Sequence, residues 1–464
     1  MSAMRLAGAR LTRRAGAYLT AALACLAACF CAGCTGAVTS AAGSAPAGTT
    51  APATVAAPAS LPPPALPARA LAAPGCGTAT ATSPALGSVS AAMLPVSGSP
   101  FGVAATADGR WAFVAVTGPR AGTPSIDVLR LAGSRAPTLV RSIPVPGVPL
   151  GETITPDGKY LLAADNAGIA VLSVARAESG AAGAVLGTLS APGGASGGAS
   201  SGGPTGGAIE VAASPDGRFA FVTLEDSRQA AVFNLGAALS RGFGPADYVG
   251  NIPLELAPVG ITVSPDGRWL YATSEVAASG TGAAKPVAGP EGLLSAGTLT
   301  VIDLRRAETD PAASVVATVD AGCQPVRVTT AADGTQVWVT ARASDDLLCF
   351  AAARLVSDPK RALVAVVRVG EAPVGLAAVR GSSLVVVADS NRFGARGATS
   401  DLDVVNVAAA LAGHPAVVGH IRAGLFPRDM TLAPDGTLLV SNFDSGQVEA
   451  VGVATIPGAP GVAG

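Results

Sequence analysis

Residues 258–274 read Pro258-Val259-Gly260-Ile261-Thr262-Val263-Ser264-Pro265-Asp266-Gly267-Arg268-Trp269-Leu270-Tyr271-Ala272-Thr273-Ser274, two β-branched or aromatic runs around one tight turn. Pro presets φ for such a turn and Gly supplies its positive-φ position. Residues 298–304 and 314–319 are two further runs of the same kind. Four short strands divided by turn residues form a four-stranded meander.

The unit recurs along the chain. Aligned on the turn residue, the repeats fall at Asp108, Asp157, Asp216, Asp266, Asp333, a degenerate Gly381, and Asp435. Eight residues earlier stand Pro100, Pro149, Ala208, Pro258, Pro325, Pro373 and Pro427. Five residues later stand Phe113, Leu162, Phe221, Tyr271, Trp338, Val386 and Val440. Two columns in one register predict an all-β chain: a seven-bladed β-propeller of four-stranded antiparallel blades. The last repeat supplies only three strands. Residues 86–94 are the natural fourth, closing the ring from the N-terminal side.

The remaining segments read differently. Arg5, Arg10, Arg13 and Arg14 precede an apolar run over 15–28, followed by small residues and cysteines, so 1–34 reads as an export signal. Leu26-Ala27-Ala28-Cys29 resembles a bacterial lipobox, and Ala32-Gly33-Cys34 ends in a similar small pair. Cys29 or Cys34 is the expected lipid anchor; the alternative, a retained membrane helix, has an apolar run that barely reaches spanning length. Residues 35–85 are Ala, Pro, Gly, Ser and Thr with almost no large apolar side chain, which predicts a disordered tether. The propeller is expected over 86–453 and a flexible tail over 454–464. The chain is thus expected outside the cytoplasm, membrane-anchored in the cell envelope or secreted.

The repeat resembles the YVTN type of β-propeller, grouped with the seven-bladed lactonase-like propellers. The tetrapeptide survives only as variants: Leu270-Tyr271-Ala272-Thr273, Val337-Trp338-Val339-Thr340 and Leu439-Val440-Ser441-Asn442. The resemblance implies the fold strongly and an activity weakly, since such relatives include surface-layer proteins, binding proteins and lactone hydrolases.

Several chemistries find no support. Net charge is −1 and no basic stripe occurs, which argues against nucleic acid as partner. The two histidines, His414 and His420, fall between the third and fourth strands of blade six, where solvated rim positions are expected. Neither suits a central general base or a zinc site. No cofactor or metal is expected. Cys76, Cys323 and Cys349 follow the leader, and two strand spacings hold Cys323 and Cys349 beyond bridging reach, so no disulfide is assigned.

Charged residues make up only 13% of the chain, so charge at an interior repeat position stands out. Six residues before each anchor the sequence reads Gly102, Gly151, Glu210, Gly260, Arg327, Gly375 and Asp429. Glu152 and Arg428 break the neighbouring apolar columns. These five charged residues are expected at the channel mouth, on the face where long inserts (191–207, 276–296, 390–400) emerge. Two readings stand: a salt-bridged, hydrated lining, or a binding site for a small molecule or protein. A monomeric, non-enzymatic binding module is the first expectation. A lactonase-like hydrolase using Glu and Arg at the channel is the second.

Overall fold

The computed structural model describes residues 71–459, apart from 78–79, 119–122, 134, 166–167, 192–206, 278–286, 290–291 and 395–398. The leader, Cys29, Cys34 and most of the long inserts therefore lie outside the described residues.

Seven four-stranded antiparallel sheets follow one another as blades. Blade one is typical: Ser99–Ala105, Trp111–Thr117, Ser125–Arg130 and Thr138–Pro144, ordered from the channel outward. Blade seven takes its outer strand, Ala91–Pro95, from the other end of the chain, paired with Gln447–Gly452. Ring closure is thus covalently remote but hydrogen-bonded. Leu94 packs between blades seven and one, whereas Met93 faces solvent at 38% exposure.

The turn chemistry accounts for the hairpins. In blades one to four a Ser or Thr hydroxyl two residues before the Asp donates to its carboxylate, as Ser214 does to Asp216 Oδ1 at 2.6 Å. The same carboxylate accepts the backbone N–H two residues on, as from Arg218 at 3.0 Å. The following glycines hold φ near +70°, for instance 69° at Gly217.

Apolar packing lies between blades. Seven clusters fill the seven interfaces, and the aromatic column contributes one residue to each: Phe113, Leu162, Phe221, Tyr271, Trp338, Val386 and Leu439. Full burial of such side chains stabilises by roughly 1.5–3 kcal/mol each. The last member is Leu439, not Val440. Blade seven turns one residue sooner, since Ala433 N–H bonds Thr437 O where Ser264 N–H bonds Trp269 O. Counting from Asp435 therefore overshoots by one.

Two regions depart from the sequence expectation. The Asp-Gly face is not short everywhere, because five small helices follow the third strands of blades two to six, beginning with Val174–Ser179. Four of them are capped by Ser173, Asn234, Asp303 or Asn406, whose side chains accept a backbone N–H three residues on. Those strand-ending polar residues were the available signal.

The described part of 71–85 is also bound to the propeller, not free of it. Leu71 and Ala73 pack at the interface of blades four and five, and Cys76 forms a disulfide with Cys323. Ala81 N–H then donates to Val369 O at 2.9 Å, and Leu86 N–H to His420 O at 2.8 Å. The disulfide escaped the sequence argument because Cys76 was placed in a tether; Cys349 is free and buried. At the other end, Ile456 is buried against blades six and seven, so the tail is packed at least that far.

Candidate functional site

Each inner strand carries the column residue, usually Pro, at or near its start and has a register break in the two or three residues after it, as between Pro258 and Ile261. A bulge re-aims side chains, so two successive residues can face the channel where alternation would separate them. The first of each pair forms an apolar ring: Phe101, Ile209, Val259, Val326 and Val374 pack together, with Leu150 against them. Arg428 takes the seventh place.

The second of each pair is the glycine-or-charge column. Glycine is required by close approach: a Cβ on Gly260 would stand 2.4 Å from Val326 O, and one on Gly151 2.5 Å from the Glu210 carboxyl. Gly151 thereby makes room for Glu210. The three charged members meet across the ring. Arg327 Nη2 lies 3.0 Å from Glu210 Oε2, and its Nε 3.9 Å from Asp429 Oδ1. Asp429 Oδ2 also accepts the Val103 N–H at 3.1 Å.

The strands that carry these charges are fixed by hydroxyls. Thr223, Thr340 and Ser441 accept the backbone N–H of Glu210, Arg327 and Asp429 and donate to Val259 O, Val374 O and Phe101 O of the next blade. Thr273 does the same beside Gly260, bonding Val326 O at 2.7 Å. Thr273, Thr340 and Ser441 are the Thr or Ser of the tetrapeptide variants, and Thr223 holds the matching place in blade three, so the motif is a latch between blades.

The five expected site residues do not form one cluster at the mouth. Glu152, Glu210 and Asp429 line a cavity of about 460 Å³ in the half of the channel toward the Asp-Gly turns. Arg428 lines a separate cavity of about 320 Å³ at the elaborated face, floored by Ile209, Val259, Val326 and Val374. Arg327 stands between, lining the mouth cavity and reaching the acids below.

The electrostatics differ accordingly. Burial pushes Glu152 well above the usual carboxylate range, reinforced by Asp429 and Glu210. Burial raises Glu210 to about 8 against the pull of Arg327, and raises Asp429 as well. At the mouth, burial and then the nearby Arg327, Arg392 and Arg342 pull Arg428 down to about 9. Arg342 is paired with Glu275 at 3.1 Å. Arg428 instead sits 3.9 Å over the Phe101 ring and 5.4 Å from those of Phe426 and Phe443. Phe426 is placed by a backbone φ of 54°, a left-handed geometry shared with Ala257, Gln324 and Ala372 at the same point of other blades. The sequence reading missed this aromatic box, which only the scarcity of aromatics could have flagged.

A solved structure shares this architecture. Hydrazine synthase of Kuenenia stuttgartiensis superposes with a TM-score of 0.56 at 14% identity, covering 78% of this chain and 98% of that one. The likeness is one of fold. No family model matches the chain, and no curated protein does.

His420 is not a solvated rim residue. It lies within the outer strand of blade six, Val417–Arg422, half-buried under Ser83, whose Oγ is 3.0 Å from its Nδ1. His414 is exposed beyond the preceding helix.

Proposed function

We propose that this protein is a non-enzymatic binding propeller whose ligand is a small anion with an apolar part, held at the channel mouth on the elaborated face. The observation that carries this reading is the convergence of Arg327, Arg342, Arg392 and Arg428 on one apolar-floored cavity. Burial first and then the crowding of guanidinium groups depress Arg428, and an anion among them would relieve the repulsion. Glu225 and Glu275 are the acids opposing them. The Phe101–Phe426–Phe443 box offers apolar and cation–π surface beside the charge. Calorimetry with hexanoate, citrate and inorganic phosphate tests it: hexanoate should bind most tightly, and absence of saturable binding by all three refutes the reading.

A hydrolase of the lactonase kind, as the YVTN-type resemblance suggests, is the second reading. Glu210, raised to about 8 beside Arg327, is the observation that favours it, since a carboxyl titrating near neutrality suits proton transfer. The apolar ring between Glu210 and the mouth counts against it. Turnover of γ-lactones, abolished by Glu210→Gln, would reverse the order of the two readings.

We place the protein outside the cytoplasm as a lipid-anchored form. The Cys76–Cys323 disulfide supports an oxidising compartment, where such bonds persist. Mass spectrometry of the mature N-terminus tests the anchor; an unmodified chain starting beyond Cys34 would exclude it.

A further inference from the structure

Blade six and the segment crossing it enclose a third cavity, of about 350 Å³, away from the channel. One wall is strand: Asp389 ends Leu384–Asp389 and pairs with Asp401, while Asp403 pairs with His420. The other wall is the chain at residues 80–83, fastened by Ala81 N–H to Val369 O and by Ser83 Oγ, which donates to Asp403 Oδ1 at 2.9 Å. Four residues upstream of that wall, Cys76 is bonded to Cys323.

Clustered aspartates are ordinarily a solvated face, but here one is not. Asp389 is only 4% exposed, and neither of its carboxylate oxygens has a hydrogen bond of full geometry, although the Asp403 carboxyl and backbone N–H face it. Gly370 is pressed against it, since a Cβ there would stand 2.6 Å from Asp389 Cγ. Asp403 differs, being satisfied by Ser83 and by the Gly370 N–H at 2.9 Å. Glu371 adds a further acid, and among the described lining residues none is Lys or Arg. A buried carboxylate facing a cavity without a donor calls for one from a ligand.

We propose that this cavity binds a small organic cation through its ammonium or guanidinium group, seated on Asp389 beside Asp401 and closed over by residues 80–83. A metal ion fits less well. Among the described residues no group of three His, Cys, Asp or Glu side chains is arranged to hold one. Asp403 Oδ1 and His420 Nδ1 are already engaged by Ser83. An N–H donor needs only the Asp389 carboxyl, which burial and the neighbouring Asp403 and Asp401 hold toward its protonated form. A cation would ionise it, and a charge-assisted pair of this kind is short and strong. The site owes nothing to the mouth, so the two proposals fail separately.

The test is calorimetry on the full chain with agmatine, cadaverine and calcium chloride as probes. Saturable binding of agmatine or cadaverine is expected, weakened at least about tenfold by Asp389→Asn and unchanged by Arg428→Ala. Should Asp389→Asn fail to fold, Asp401→Asn replaces it, with a smaller loss expected. Reduction of the disulfide should also weaken amine binding, because it frees the wall at residues 80–83. Absence of amine binding, equal affinity in the folded aspartate variant, or tighter binding of calcium than of either amine overturns the proposal.

Discussion

The mouth and the interior of the channel are built on consecutive residues of the same seven strands, yet they carry opposite character. The outer layer is an apolar ring with Arg428 in it; the layer below is glycine, except where Glu210, Arg327 and Asp429 meet. The mouth gathers guanidinium groups over an apolar floor, whereas the interior gathers carboxyls around a single guanidinium. A register break in each inner strand makes both layers possible. The lesson is that one repeat position can build scaffold while its neighbour builds a site.

The largest expected effect is at the residue joining the layers. Arg327 is 6% exposed, so it is a buried ion and not part of a hydrated lining. Removing it leaves Asp429 buried without its counter-charge and Glu210 without the guanidinium it faces. Arg327→Ala should cost about 3 kcal/mol of unfolding free energy in urea melts. A loss below about 1 kcal/mol would mean that the interior is hydrated and screened.

Arg428→Ala should separate the layers. It has no carboxylate partner within ion-pair distance among the described residues, so its loss should cost little stability. Hexanoate affinity at the mouth should fall by about tenfold to a hundredfold, as expected for a charged hydrogen-bond donor. Equal loss of stability and affinity would show the mouth to be structural.

The pH dependence has a definite sign. Glu210 titrates at about 8 in the native protein against an ordinary 4.5, so between these values the unfolded chain releases a proton that the native one keeps. Stability from this group therefore falls as pH rises through that window and is steady below it. Glu449, raised to about 7, and Asp346, raised to about 6, act in the same direction. The melting temperature should be higher near about pH 5 than near about pH 8. Glu210→Gln should flatten the slope; an unaltered slope would remove the interior from its cause.

The sequence showed much of this, unevenly. Turn chemistry and the aromatic column disclosed all seven blades because both follow from local geometry that each repeat must satisfy. Leu439 was misplaced by one because a single shortened turn is invisible to a fixed count. The five charged residues were found as departures from a column, but their division into two layers was not, since alternation gives no warning of a bulge. Cys76–Cys323 joins residues 247 apart, one of them in a segment of low complexity. Pairing over that distance depends on how the strap crosses the ring, which no local pattern records.

The smallest expected effects come from the latches, and they can sharpen the comparison further. The latch hydroxyl occurs in blades three, four, five and seven, whereas Ala115, Ala164 and Ala388 occupy the matching place in blades one, two and six. Every blade that carries a charge in the glycine column therefore has one, and blade four has one beside a glycine; blade two, whose Glu152 also lines the channel, has none. Thr223→Val and Thr273→Val each remove a buried bond to the next blade and leave a carbonyl short of a donor, costing about 1 kcal/mol. If the latch serves only to join blades, the two substitutions should match in urea melts. If it also holds the strand bearing a buried charge, Thr223→Val should cost more, because slack at Glu210 lengthens its 3.0 Å pairing with Arg327. We expect the second outcome, with the excess cost disappearing when Thr223→Val is made in a Glu210→Gln background. That double-mutant cycle reads the coupling directly, since the two residues are in contact through one backbone amide. Strict additivity would assign the hydroxyls to ring assembly alone and leave the charged layer to be positioned by its own ion pairs.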